Sequence, residues 1–297
     1  MKNDISKKET WAWLWILPVI AILSLFYVVP IVKVGLYSFT NASFFGGKFH
    51  YTLNTYGFLF SSGTFWIMLK TTLLFVIASV IFQFLLGFSI SLALVDGENR
   101  KLLGTTFVRT AVLSAWVIPG VVIGIVWKLL LTGASYGILN YYIKVLTGYA
   151  IPFLSSPTWA LVSIIIANVW RGTAFSMIIL YGGLKQVPQE LYEAAQIDGA
   201  SAWKRLIHVT IPQLKQVIFI NLALITIYTF NTFDMIMALT GGGPGRATEV
   251  LSIYSYDSVF ERWALSQGAA SAIVLLVINL IIVIFYYRTM KVGENNA

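Results

Sequence analysis

The chain has 297 residues, of which 58% are hydrophobic and 11% charged, and its mean hydropathy is +0.80. A water-soluble domain of this length could not bury so much apolar surface, so the composition predicts an integral membrane protein. The formal net charge is +8, but the basic residues flank apolar spans, which indicates lipid contact and topology and not nucleic acid. With no cysteine and two distant histidines, His50 and His208, we expect no disulfide and no metal site.

Six apolar spans follow one another along the chain. Each is long enough for the roughly 20 residues that a helix needs to cross a bilayer. None alternates at a period of two, so we expect helices and exclude a β-barrel. The sequence therefore predicts an all-α membrane protein with six transmembrane helices, and the first span is interpreted as an uncleaved anchor. The spans cover residues 11–32, 71–95, 110–127, about 158–184, about 217–239 and 264–287.

The spans suggest an N-terminal appendage and a core. Residues 1–66 are predicted to hold a cytoplasmic tail, the first span and an outer loop. Residues 67–290 hold five core helices, interrupted by a polar loop at 185–216, and residues 291–297 form a second tail. Lys and Arg are more numerous on the side of the N-terminus, which places both termini and the polar loop in the cytoplasm. We expect a multi-pass protein of the bacterial cytoplasmic (inner) membrane.

The polar loop has the pattern of a helix, a glycine and a second helix, and reads ELYEAAQIDGASAWKRLIHVTIP from Glu190 to Pro212. The first helix is predicted to stop at Gly199, where a residue without a Cβ can take a positive φ, and the second to end at Pro212. Small and acidic residues suit a soluble partner; the alternative is a plain connector on the membrane surface. The predicted docking residues are Glu190, Glu193, Ala194, Ala195, Asp198, Gly199, Ala200 and Trp203.

A glycine-rich stretch follows the fifth span and reads LTGGGPGRATEVLSIYSYDSVFE, from Leu239 to Glu261. Its composition predicts a flexible outer turn and then an amphipathic return, although a plain re-entry turn has the same composition. The turn residues are Gly241, Gly242, Gly243 and Pro244.

These motifs carry a resemblance to a known family. The EAA-x-x-DGA pattern of the polar loop resembles the EAA loop of the permease subunits of ATP-binding cassette (ABC) importers. The glycine-rich string, with WRGTAFSMIILYGGLKQVP before the loop, resembles the maltose-type sugar permeases, specifically the first of their two unlike subunits. The resemblance covers most of residues 168–261.

The resemblance implies an ABC importer permease fold whose polar loop is a coupling helix, seated in a groove of the ATPase. It also implies a second, non-identical permease subunit, two cytoplasmic ATPase subunits, an extracytoplasmic solute-binding protein and a carbohydrate substrate, with polyols or glycerol phosphate as alternatives. The sequence has no Walker A loop, because Phe49 follows Gly47-Lys48, its one Gly-Lys pair. We therefore expect no enzyme activity and no cofactor bound by this chain, with ATP and Mg on partner subunits.

Polar residues within the fourth and fifth spans are candidates for a solute pathway. A hydroxyl-rich solute needs hydrogen-bonding groups beside aromatic faces, and a charge within the membrane is costly unless it lines a cavity or is paired. The alternatives are that these groups hold helices together, or that Arg171 pairs with Asp234 or a partner subunit. The fourth span offers Asn168, Arg171, Gly172 and Phe175 on one face, and the fifth Asn221, Tyr228, Thr229, Asn231, Thr232 and Asp234.

Two other function classes, an ion-coupled transporter and an intramembrane hydrolase, would each need particular residues within the spans. An ion-coupled transporter would need titratable pairs in the bilayer, for which Arg171 and Asp234 are the candidates. An intramembrane hydrolase would need a Ser/His, histidine-cluster or paired-carboxylate constellation, and neither histidine lies in a span.

The charged turn between the second and third spans is interpreted as solvated, and Arg109 as a topological anchor. The turn contains Asp96, Glu98, Arg100 and Lys101.

Overall fold

The structure, a computed structural model, describes residues 15–46, 49–133 and 137–294. Within these ranges the chain is helical, and an isolated antiparallel bridge between Thr40 and Tyr51 is the only β pairing. Residues 1–14, Gly47-Lys48, 134–136 and 295–297 lie outside the described residues. They include parts of both predicted tails, the start of the first span and the Gly-Lys pair considered for nucleotide binding.

The described helices are named here in chain order, with the bounds the structure gives them. They are α1 Trp15–Ser38, α2 Asn54–Ser61, α3 Gly63–Asn99, α4 Thr105–Val117, α5 Gly120–Leu131, α6 Ile138–Thr147, α7 Pro157–Leu184, α8 Gln189–Ile197, α9 Ala202–Gln213, α10 Lys215–Phe230, α11 Asp234–Leu239, α12 Leu251–Phe260 and α13 Leu265–Glu294.

Four described helices, α1, α3, α7 and α13, are long and apolar enough to cross a membrane. Two bent pairs, α4 with α5 and α9 with α10, meet the same criterion together, which gives up to six spans among the described residues. The predicted fold class of an all-α membrane protein is confirmed within these residues. Two of the predicted spans differ from single straight helices.

The third predicted span is broken at Pro119. Helices α4 and α5 meet there at 102°, whereas the sequence analysis treated residues 110–127 as one helix. Proline has no amide hydrogen to donate and pushes the preceding residue out of the helical region. Ile118 accordingly has a ψ of 128° and Pro119 a ψ of 140°. The span is therefore two helices at nearly a right angle.

The fifth predicted span, residues 217–239, is also interrupted, between Phe230 and Asp234. No glycine or proline marks this break. Instead, side chains bond to the backbone: Asn231 Nδ2 donates to Ile227 O at 2.8 Å, and Thr232 Oγ1 donates to Tyr228 O at 3.0 Å. Such local hydrogen bonds compete with the helical ladder. The last part of the span forms the separate short helix α11.

The described residues divide into two compact units. One contains the residues up to Phe65 together with Tyr254–Val274, and the other contains Trp66–Ile253 and the residues from Leu275 onward. In the first unit, Ser43 Oγ donates to Trp263 O at 3.0 Å, and the rings of Phe44 and Trp263 meet edge to face. The predicted domain boundaries at 66/67 and 290/291 stay a prediction.

Helix α7 lies at the centre of the second unit. Its buried Ile164 and Ala167 belong to an apolar core with Phe75 of α3 and Ile123 of α5. Helices α5 and α11 approach closely, because a Cβ at Gly124 would overlap Ala238; small residues allow such contact between membrane helices. This core joins α3, α5, α7, α10, α11 and α12.

Candidate functional site

A cavity of about 350 Å³ lies in the second unit. Its wall includes every residue predicted for the solute pathway except Asn221, and adds three that the sequence analysis did not select. Five helices and the break between α10 and α11 contribute to it. The lining residues are Gln83, Trp116, Asn168, Arg171, Gly172, Phe175, Ile225, Tyr228, Thr229, Asn231, Thr232 and Asp234.

Three aromatic rings form a continuous row along the cavity. The ring centroids of Trp116 and Phe175 are 5.5 Å apart, and those of Phe175 and Tyr228 are 5.2 Å apart. The rings come from three different helices, α4, α7 and α10. Rings at these distances stabilise one another and present flat apolar faces. Trp116 was missed because no pattern in the third span shows that its end faces α7.

An ion pair faces the same cavity. Arg171 Nη1 lies 3.8 Å from Asp234 Oδ1, and the two side chains are 29% and 43% exposed. The Asp234 carboxylate also accepts from its neighbour's amide, Met235 N, at 2.8 Å. It lies against Gly120 at the start of α5, where a Cβ would overlap it. The N-terminal end of a helix favours an anion, and the break at Pro119 places such an end beside this carboxylate.

Amide and hydroxyl groups form the polar wall. Gln83 Nε2 of α3 donates to Asn168 O at 3.2 Å, and Asn168 Nδ2 lies 3.5 Å from Thr229 Oγ1. Gly172 contacts the Gln83 amide so closely that a Cβ there would overlap it. Gln83 is 2% exposed. No period in the apolar second span singles out this residue, and only the approach of α7 gives it a role.

Asn221 is the one predicted pathway residue that lies away from the cavity lining. It is fully buried, and its Nδ2 donates to Ser176 Oγ at 2.9 Å. This bond joins α10 to α7. The arrangement matches the alternative stated for these polar groups, in which they hold helices together.

The predicted coupling region forms two short helices around Gly199. Helix α8 ends at Ile197, Gly199 has a φ of +75°, and Ala200 N donates back to Ala195 O at 2.9 Å. A left-handed glycine that closes a helix in this way is the predicted arrangement. Ile197 and Trp203 are 87% and 68% exposed, so this chain leaves both apolar side chains uncovered.

The second helix of this region runs further than predicted. Helix α9 continues through Pro212 to Gln213 and bends by 73° into α10 at Leu214, so the prediction that Pro212 ends it is wrong. Pro212 follows the π-helical turn Leu206–Thr210, and α9 stops one residue after it. The two helices are tied together by Tyr192 Oη and Thr210 Oγ1, 3.1 Å apart.

The glycine-rich turn follows α11. Gly241 and Gly242 have φ angles of +58° and +86°, which L side chains rarely adopt. Thr248 closes the turn, because its Oγ1 donates to Gly243 O at 2.8 Å and lies 2.7 Å from Thr240 Oγ1. The turn predicted from glycine content is therefore held by side-chain hydrogen bonds.

Metal binding finds no support in the part of the chain that the structure describes. No group of three or more His, Asp or Glu side chains there could hold a metal ion. The charged residues of the cavity form the single pair Arg171–Asp234 within its described lining.

Comparisons with known proteins agree with this architecture. The trehalose/maltose transport system permease protein MalF of Thermococcus litoralis is 33% identical over 300 residues, covering 99% of this chain and 99% of that protein. The trehalose transport system permease protein SugA of Mycobacterium tuberculosis is 35% identical over 225 residues, covering 74% and 68%. A chain of a bacterial alginate ABC transporter, solved in complex with an alginate pentasaccharide-bound periplasmic protein, has a TM-score of 0.84 at 22% identity, covering 98% of both chains.

The family itself is shown by a match over residues 85–289. This range contains most of the cavity lining, the α8–α9 region and the glycine-rich turn. The chain therefore belongs to the family of binding-protein-dependent transport system inner membrane components.

Proposed function

We propose that this chain is the permease subunit of an ABC importer for a neutral carbohydrate, and that the cavity is the place where the sugar crosses. The observation that carries this proposal is the presence of three aromatic rings in a row, together with amide and hydroxyl groups, in the lining of one cavity. Sugar rings have apolar faces and hydroxyl edges, so they match both walls. The names of the relatives, which refer to trehalose and maltose, support the same solute class.

The ion pair favours a neutral solute. Arg171 and Asp234 balance each other's charge, and their 3.8 Å separation is longer than a direct hydrogen bond. A sugar hydroxyl placed between them donates to the carboxylate and accepts from the guanidinium. A phosphorylated solute would bring its negative charge next to Asp234, so we place neutral sugars and polyols before glycerol phosphate.

Energy reaches the cavity through α8, Gly199 and α9. The exposed apolar side chains Ile197 and Trp203, with acidic Glu193 and Asp198 beside them, suit a groove on an ATPase. The remaining predicted docking residues, Glu190, Ala194, Ala195 and Ala200, belong to the same region. ATP and Mg are bound by two ATPase subunits and not by this chain, which carries no cofactor in the proposal.

The proposed arrangement in the membrane follows from the side of this region. The α8–α9 region faces the cytoplasm together with both termini. The turn at Gly241–Pro244 faces outward, toward the solute-binding protein. A second, non-identical permease completes the pathway, and the cavity opens alternately to the two sides as the ATPases close and reset.

Reconstitution tests the proposal directly. The chain, its partner permease, the ATPases and the binding protein are placed in proteoliposomes, and uptake of maltose, trehalose, glycerol and glycerol 3-phosphate is measured. We expect ATP-dependent uptake of a neutral carbohydrate, abolished when the Walker A lysine of the ATPase is replaced. Uptake driven by an ion gradient without ATP, or transport of the phosphorylated solute alone, would contradict it.

A further inference from the structure

Four charged or polar side chains form a partly buried cluster that joins three helices close to the start of α8. They are Glu98, Arg109, Tyr181 and Lys185. The centre of the cluster is Glu98, in the last turn of α3. Tyr181 Oη donates to the Glu98 carboxylate at 2.8 Å, and Lys185 Nζ donates to Oε2 at 3.0 Å. Arg109 Nη1 of α4 donates to Glu98 Oε1 at 3.3 Å and to Tyr181 Oη at 2.9 Å.

The cluster is a closed network and not a chance surface pair. The Arg109 guanidinium also lies over the Tyr181 ring, 5.4 Å from its centroid. The Glu98 side chain is 22% exposed, and its carboxylate accepts from donors on two other elements. Hydrogen bonds to ionised groups are the strong ones, and a network of them orients all of its members. By contrast, the Asp96–Arg100 pair one turn away is 61% and 69% exposed and lies within one helix end.

The position of the cluster gives it a mechanical meaning. Tyr181 lies in the last turn of α7 and Lys185 directly after it, four residues before α8 begins at Gln189. Arg109 lies on α4, and Trp116 of the aromatic row stands seven residues further along the same helix. Seven residues are about two helical turns, or roughly 10 Å. One carboxylate thus connects the start of the coupling region to a helix that lines the cavity.

We infer that Glu98 is a positioning residue for transport. It holds Lys185, just before α8, to Arg109 of α4, so that movement of α8 reaches the cavity wall through α4 as well as through α7. Without this contact, α8 moves with the segment 185–188 that connects it to α7, and α4 does not follow. Coupling between distant sites travels through contiguous packed and hydrogen-bonded groups, and this network runs from Lys185 through Glu98 to Arg109, from which α4 continues to Trp116. The inference rests on the proposed docking of α8 and α9 on an ATPase.

The test uses the complete transporter in nanodiscs. ATP hydrolysis is measured without binding protein and with binding protein loaded with maltose or trehalose, and the ratio of the two rates reports coupling. Glu98→Gln keeps the side-chain shape but removes the charge, and Tyr181→Phe removes one hydroxyl. Arg100→Gln, at the same helix end and outside the cluster, is the matched control.

A distance measurement separates positioning from general stability. Because the chain has no cysteine, spin labels can be placed at the exposed positions Phe107 of α4 and Gln189 of α8, neither of which is a proposed docking residue. In the parent protein, we expect one narrow distance distribution that shifts when ATP binds. In Glu98→Gln it should broaden, while the melting temperature and the yield of assembled complex stay within the range of Arg100→Gln.

The outcomes are distinct. We expect Glu98→Gln and Tyr181→Phe each to lower the coupling ratio at least threefold, with the double variant no worse than Glu98→Gln alone. An unchanged ratio, a separate additive loss for each variant, or an equal loss in Arg100→Gln would overturn the inference. Gly199→Trp is measured in parallel: if it alone abolishes stimulation, only the role of Glu98 fails, and if it too has no effect, the docking of α8 fails as well.

Discussion

Replacing Gly172 by alanine tests whether the cavity carries the solute. A Cβ at this position overlaps the side-chain amide of Gln83, which itself donates to Asn168 O at 3.2 Å. Gln83 lines the cavity, so we expect its amide to swing into the cavity and narrow the passage. Gly182 is the matched control, because it lies on the same helix and a Cβ there has no atom within 4 Å.

The cost can be worked out from these contacts. Forcing extra atoms into a packed site costs about 1–3 kcal/mol, and the lost Gln83 hydrogen bond about 0.5–1.5 kcal/mol. The gain in helix propensity from glycine to alanine is shared with Gly182→Ala and cancels in the comparison. If about 2 kcal/mol of this cost destabilises the solute-bound state, the half-saturating concentration of loaded binding protein rises roughly 30-fold, since about 1.4 kcal/mol is a factor of ten.

The assay is ATP-dependent sugar uptake into proteoliposomes at varied concentrations of loaded binding protein. Gly172→Ala should raise the half-saturating concentration with basal ATP hydrolysis retained, and Gly182→Ala should match the parent protein. Equal uptake by both variants would refute the reasoning that places the sugar beside Gln83. A loss of basal hydrolysis in Gly172→Ala would show damage to the fold and not to the solute path.

Three further substitutions probe other parts of the site. Gly199→Trp forces a bulky residue into a positive φ and into the proposed groove; stimulated ATP hydrolysis should fall to the basal rate while the permease still inserts, as membrane fractionation would show, and unaltered transport would contradict the docking. Phe175→Leu removes the central ring of the aromatic row, and a ring contact contributes about 0.5–1.5 kcal/mol. Half-maximal uptake should therefore require roughly 2- to 12-fold more sugar, and unchanged uptake kinetics would exclude a stacking role for this ring. Arg171→Met leaves Asp234 without its partner and should reduce uptake more than the double change Arg171→Met/Asp234→Asn does; equal losses would indicate that each contacts the solute independently.

The sequence could predict those features whose signal lies in neighbouring residues. Apolar length located the spans, and Gly199 located the end of α8, because a left-handed turn there follows from local chemistry. The break after Phe230 was not predictable in the same way, since it depends on side-chain bonds to the backbone and not on glycine or proline. Pro119 was visible in the sequence, but the 102° angle at that residue was not inferred from it.

Residues whose role depends on which helices meet could not be found from one sequence. Gln83 and Trp116 look like ordinary members of apolar spans until α7 is placed beside them. Glu98 and Arg109 were interpreted as a solvated charge and a topological anchor. The structure instead joins them through Tyr181, because the ends of α3, α4 and α7 meet. Contacts between residues that lie 11 to 83 positions apart in the chain leave no periodic pattern in the sequence.

The interruptions of the third and fifth spans have a joint consequence for gating. Helix α5 follows one interruption and α11 follows the other, and the two contact each other through Gly124 and Ala238. They therefore pack together beside the two breaks, where the Asp234 carboxylate lies against Gly120. The regular helical ladder is interrupted at both breaks, so we expect a tilt of this pair to disturb fewer backbone hydrogen bonds than a bend within a continuous helix. Two short helices placed in this way would let the cavity open and close at a lower cost in backbone energy than two continuous spans.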